Sequence, residues 1–275
     1  HNSAGGASGK AIDLGSGIAG GSGTNASLYA IGGRTIANSI TIQGENSSTL
    51  NIGSDSTTDD NTFTGSVTIE KTANFNAGGS RNVSFSGGLS GAGGITKTGT
   101  GVLTLSGSGA NSFGSGVTST VSTGTLVLNK SANTAAIGGS LTVNSGATLR
   151  TDAANQLNSQ LVTVNGAFDM NGNNQTFALA GSGTVTNNAI LTNNNTGTDT
   201  FSGVISGTGS LVKTGAGTLI VSGNNTYNGG TLVSAGVLRI GDGSASGVGS
   251  VTGDITNNAT VTFNRPDNLT YSSVM

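Results

Sequence analysis

Apolar residues along this chain come in short runs that recur at a nearly fixed distance. Ile40-Thr41-Ile42, Val67-Thr68-Ile69, Leu126-Val127-Leu128, Leu161-Val162-Thr163-Val164 and Leu219-Ile220-Val221 are of this kind. A V-T-I alternation places apolar groups on one face of an extended strand and a hydroxyl on the other. Gly, Asn and Ser separate the runs, and these residues supply turns. The pattern predicts strands of about four residues joined by tight corners, with almost no helix.

The distance between runs gives the size of the repeating unit. Val143, Val164 and Val185 are each 21 apart in the sequence, and Phe63 and Phe85 are 22 apart. Leu103, Leu126 and Leu149 are each 23 apart, Leu219 and Leu238 are 19 apart, and Ile240 and Val261 are 21 apart. These periods are those of a solenoid coil, in which each strand pairs in parallel with its equivalent one coil later. The expected fold is all-β: a right-handed parallel β-helix, or β-solenoid. At about 19–23 residues per coil the chain makes about 13 coils of two or three strands, a rod about 60 Å long at ~4.8 Å per coil. A β-sandwich explains short strands but not the recurrence.

A longer motif sits on this period. Phe85 to Leu105 reads FSGGLSGAGGITKTGTGVLTL, and Phe201 to Val221 reads FSGVISGTGSLVKTGAGTLIV. The two align without a gap, so Lys97 matches Lys213 and Gly101 matches Gly217. Repeat units lie near 85–131 and 201–245, and a partial third runs from 265 to the end, where Thr270 to Met275 matches Thr200 to Ile205. No Pro-rich linker or charge run divides the chain, so 1–275 reads as a single continuous β-helix with no separable second domain. Asp55 to Asn61 and Asn193 to Thr200 read as polar loops.

Composition narrows the function. Charged residues are 8% of the chain, against about 25% in ordinary soluble domains. Ser, Thr, Asn and Gly take their place, and these are poor in helix interiors. A net charge of −2 offers no basic patch for phosphates, so neither nucleic acid nor nucleotide is an expected partner. No apolar run approaches the roughly 18 residues of a membrane helix. With no Cys there is neither a disulfide framework nor a thiolate metal site.

Gly207 to Leu238 follows the pattern G-x-G-x-L-x-K-x-G-x-G-x-L-x-x-S-G-N-N-T-Y-N-G-G-T-x-x-x-x-G-x-L. It closely resembles the autotransporter-associated β-strand repeat, also called the passenger-associated transport repeat. The copy at Gly91 to Leu126 matches through Ser106-Gly107, then carries Gly109-Ala110-Asn111-Ser112-Phe113 in place of NNTYNGG, with a short insertion before Gly124. The resemblance implies a passenger secreted by a Gram-negative-type bacterium, extracellular or on the outer cell surface. It implies an outer-membrane translocator barrel as a partner if the chain is part of a longer protein. It transfers no activity.

Candidate chemistry is sparse. Lys97-Thr98-Gly99 and Lys213-Thr214-Gly215 lie among glycines, but a phosphate-binding loop needs G-x-x-x-x-G-K-[ST] before a helix. Their periodic occurrence points to a turn or ladder role. The single His is His1, at the terminus, so no triad imidazole is placed. Sugar acid/base chemistry needs two carboxylates within roughly 5–10 Å. Asp55, Asp59 and Asp60 cluster in one loop. Asp152 and Asp169 are separated by a little less than one coil, which brings them near one another across neighbouring coils. Asp55 to Asn61 and Gly241-Asp242-Gly243-Ser244 offer oxygens for calcium, but match no calcium loop and read as Asx and Gly turns. The expected catalytic, cofactor-binding and metal residues are therefore none, and the expected function is a non-catalytic surface stalk or extracellular fibre element. Alternatives are an adhesin whose loops bind glycans or cells, and a polysaccharide lyase or hydrolase on a β-helix. Open strand edges at the ends would permit head-to-tail stacking into filaments.

Overall fold

The computed structural model describes residues 10–15, 25–45, 48–55, 57–268 and 270–275. Among them every regular element is a β-strand and every strand pairing is parallel. The architecture is a parallel β-solenoid of about 11 turns, fewer than the 13 expected from the spacing. It divides into two compact units, one of residues 1–141 and 146–149, the other of 142–145 and 150–275.

The first unit has three strands per coil, stacked in three columns. One column runs Ile12–Leu14, Ile40–Ile42, Val67–Ile69, Leu89–Gly91, Ser112–Phe113. The next runs Ala26–Tyr29, Leu50–Ser54, Ala73–Ala77, Ile95–Thr98, Ser119–Val121. The third runs Thr35–Ile36, Asn61–Phe63, Asn82–Phe85, Val102–Gly107, Thr125–Lys130. Alternation decides which side chains are enclosed: in Ile40–Ile42 and Val67–Ile69 the outer two residues are buried and the central Thr is not. Inward residues form ladders, among them Val83, Leu103 and Leu126, and Phe63, Phe85, Leu105 and Leu128. The Phe63 and Phe85 rings stack 4.5 Å apart and nearly parallel. Such columns keep apolar area out of water along each edge, at roughly 25 cal/mol per Å².

The second unit is built from Asn158–Val164, Gln175–Gly181, Ile190–Asn193, Ser210–Lys213, Thr231–Val233 and Ile255–Asn257 in one column. Ala167–Asp169, Thr184–Thr186 and Val204–Ser206 form a second, and Thr198–Phe201, Thr218–Val221, Val237–Ile240 and Thr260–Phe263 a third. Gln175–Gly181 belongs to two columns, because it pairs with Ile190–Asn193 through one end and meets Phe201 through Gly181.

Coil lengths depart from the expected 19–23 in both directions. Ile12 pairs with Ile40, a long step, and Gln175 pairs with Leu191, a short one. The short step arises where Gln175–Gly181 runs straight past a corner that later coils turn with residues 194–197. Two spacings taken from the sequence are not ladders: the short coil stacks Val185 on Phe168 rather than Val164, and an ordinary coil stacks Ile240 on Phe263 and leaves Val261 to Leu238. The expected loop over Asn193 to Thr200 is also shorter, since Thr198–Phe201 is a strand. Thr270 to Met275, where the third motif copy begins, contains no strand, and Val274 is exposed.

Candidate functional site

The repeated motif builds a corner around a buried lysine. In Ile95–Thr98 the alternation turns Ile95 and Lys97 inward and Thr96 and Thr98 outward. Lys97 stands in an inward column between Phe75 and Val121 and has no solvent exposure. Its side chain reaches the corner that follows, where Nζ donates to the carbonyls of Thr98 at 2.8 Å, Gly99 at 2.7 Å and Thr123 at 3.1 Å. Each ammonium hydrogen thus satisfies one main-chain oxygen that the turn leaves without a ladder partner. Gly124, at φ +67°, makes the space: a Cβ there would lie 2.8 Å from Nζ and 2.5 Å from the Gly99 carbonyl. Burial pushes the Lys97 ammonium down to about 8.

The second copy repeats the arrangement. Lys213 is fully enclosed between Asn193 and Val233, and its Nζ donates to the Gly215 carbonyl. A Cβ on Gly236, at φ +68°, would lie 2.9 Å from Nζ. Burial lowers the Lys213 ammonium as well, and the Asp199 carboxylate opposes the shift. Lys130 is a third buried lysine, lowered by burial. The turn or ladder role expected of the K-T-G strings is what the chain shows, and the enclosure of the lysines is what sequence reasoning missed. The signal was present in the parity of I-T-K-T, which puts Lys97 on the same face as Ile95.

The acidic candidates are engaged in local structure. Asp152 and Asp169 do come together, both hydrogen-bonded to Asn171: its Nδ2 donates to Asp152 at 2.9 Å and its backbone N–H to Asp169 at 2.8 Å. Arg150 grips Asp152 with two bonds of 2.7 and 2.6 Å. That pairing holds the Asp152 carboxyl below the usual carboxylate range, against the effect of partial burial. A carboxyl kept ionised in this way is a poor general acid. Asp60 accepts from Asn82 through both oxygens, and Thr58 donates to Asp59 at 2.7 Å. Asp242 accepts from the Ser244 backbone and hydroxyl, an Asx turn as expected. His1 lies outside the described residues. No group of three His, Cys, Asp or Glu suited to a metal occurs among the described residues.

One groove of about 350 Å³ opens in the second unit, beside the corner at 194–197. Asn194, Asn195 and Asp199 line one side, and Ser159, Leu161 and Ala178 the other. It exists because Gln175–Gly181 has no turn beneath that corner.

The passenger-associated-transport-repeat family matches residues 95–128 and 211–240. This chain carries two passenger-associated transport repeats. Each begins on the strand that bears the buried lysine and ends on the strand laid over that corner one coil later, so a repeat comprises a lysine cap together with the turn that closes it. On a parallel β-solenoid, the repeats mark a domain of the autotransporter passenger type. No curated protein and no solved structure matches the chain.

Proposed function

We propose that the chain is a structural segment of a secreted passenger, displayed on the outer surface of a Gram-negative-type bacterium or released from it, and that it works as a stalk or fibre element without catalysis. The observation that carries this reading is where the polar chemistry is spent. Lys97 and Lys213 cap corner carbonyls, Asp242 holds a turn and Asp152 pairs with Arg150, so these groups maintain the coil. Incubation with acidic and neutral polysaccharides tests it: the reading expects no reducing ends and no unsaturated products. Turnover lost in Asp152→Asn or Asp169→Asn would instead make the chain an enzyme.

A second reading, an adhesin, is favoured by the groove beside 194–197, where amide, hydroxyl and carboxylate groups face Leu161. Saturable binding on a glycan array, removed by Asp199→Ala, would select it over the spacer.

A further inference from the structure

The two lysine corners differ in what lies beneath them. Lys97 stacks on Phe75, and the neighbouring inward ladder places Val83 under Leu103. Lys213 stacks on Asn193, and the corresponding ladder places Asp199 under Leu219. An apolar pair in the first copy is thus an amide and a carboxylate in the second. Asn193 has no solvent exposure, and neither its Oδ1 nor its Nδ2 has a hydrogen-bond partner. A buried amide left unpaired destabilises the fold, so its presence beside an enclosed amine calls for a reason.

We propose that Lys213 and Asn193 become joined by an amide bond between Nζ and Cγ, with Asp199 carrying the proton. Parallel register sets the two residues side by side, facing into the same column. The amine leaves the Gly215 carbonyl and attacks the Asn193 Cγ. A bond forms between Nζ and Cγ, and the bond from Cγ to Nδ2 breaks. Asp199 takes the proton that Nζ loses and delivers it to Nδ2, which departs as ammonia. Atoms and electrons balance without an oxidant or a second reactant. Burial, which lowers the Lys213 ammonium, increases the share of neutral, nucleophilic amine. The complete burial of Lys213 and Asn193 excludes competing water. The groove lined by Asn194, Asn195 and Asp199 gives ammonia a way out. The product ties two successive coils covalently and removes one buried charge and one unpaired amide together. The inference does not depend on the stalk reading, and a catalytic or adhesive passenger would carry the same bond.

Intact mass spectrometry of the folded 275-residue chain tests it. The expected mass is lower than the sequence mass by one ammonia. Trypsin then fails to cut after Lys213, and the single peptide from Thr151 to Arg239 carries an internal loop closed between Asn193 and Lys213. Lys213→Arg, Asn193→Ala and Asp199→Ala are each expected to restore the sequence mass, while Lys97→Arg leaves the loss in place. A native chain at its full sequence mass overturns the proposal without need of any variant. So does a loss that persists in Asn193→Ala, which would place the chemistry at another residue.

Discussion

The Nζ of Lys97 donates to the Thr123 carbonyl, 3.1 Å away and one coil further along the chain. The same ammonium holds Thr98 and Gly99 of its own coil, so one side chain fastens two successive turns at their shared corner. Lys97→Met leaves the Thr98 and Thr123 carbonyls without a donor, at about 1–3 kcal/mol each, leaves Gly99 with the Thr123 hydroxyl alone, and relieves the burial of one charge. The carbonyl loss outweighs the relief, and the variant is expected to be less stable by about 2 kcal/mol near neutral pH. Urea unfolding of the two proteins measures the difference.

The depressed Lys97 ammonium also predicts a pH dependence. Its folded value of about 8 lies below the ordinary 10.5, so between those values the unfolded chain binds more protons at this site than the folded one. Stability from this group therefore rises with pH across that window and is flat below it. Urea midpoints of the wild type, compared with Lys97→Met from pH 7 to 10.5, are expected to diverge further in favour of the wild type. A gap that narrows as pH rises contradicts the assignment.

Adjacent glycines offer a test of how closely coils approach. A Cβ on Gly87 would lie 2.0 Å from the Gly65 carbonyl of the preceding coil, whereas one on Gly88 meets nothing within 4 Å. Gly87→Ala is expected to cost several kcal/mol or to block folding, while Gly88→Ala changes stability by about 0.5 kcal/mol or less. Thermal unfolding of the pair separates backbone stacking from a general effect of removing glycine.

Val164 is fully buried and pairs with Gly181 one coil on. Val164→Asp puts a carboxylate into that interior and is expected to destabilise by several kcal/mol. An unchanged denaturation midpoint would mean that the residue faces solvent.

Much of this architecture was legible before the structure, for identifiable reasons. Phe63 and Phe85, Leu103 and Leu126, and Leu219 and Leu238 pair as their spacing predicts, because like side chains stack on like where coil length is constant. Val164 and Val185 do not pair, although their spacing matches the usual period, because the coil between them is short: Val164 already meets Gly181. The sequence records where apolar runs lie, but Gln175–Gly181 passing a corner without turning is decided by its pairing with two columns at once. The approach of Asp152 to Asp169 was also legible from spacing. The grip of Arg150 on Asp152 was not, since Asp152 lies just past the end of Thr148–Thr151, where strand alternation no longer sets the direction of a side chain. Lys97 and Lys213 were recognised by recurrence, whereas their burial required parity to be weighed above charge.

Every ladder in this fold requires each outward residue to stand opposite its equivalent one coil later, in parallel register. The chain has no Cys, so engineered pairs report without background. Thr68 and Ser90 are register partners, and Thr41 lies one coil further from Ser90. Disulfides require Cα atoms about 4.4–6.8 Å apart, which adjacent coils satisfy and alternate coils do not. Under mild oxidation, Thr68→Cys with Ser90→Cys is expected to close fully, and Thr41→Cys with Ser90→Cys to remain reduced. Closure of the second pair with the first left open would contradict the register and, with it, the solenoid.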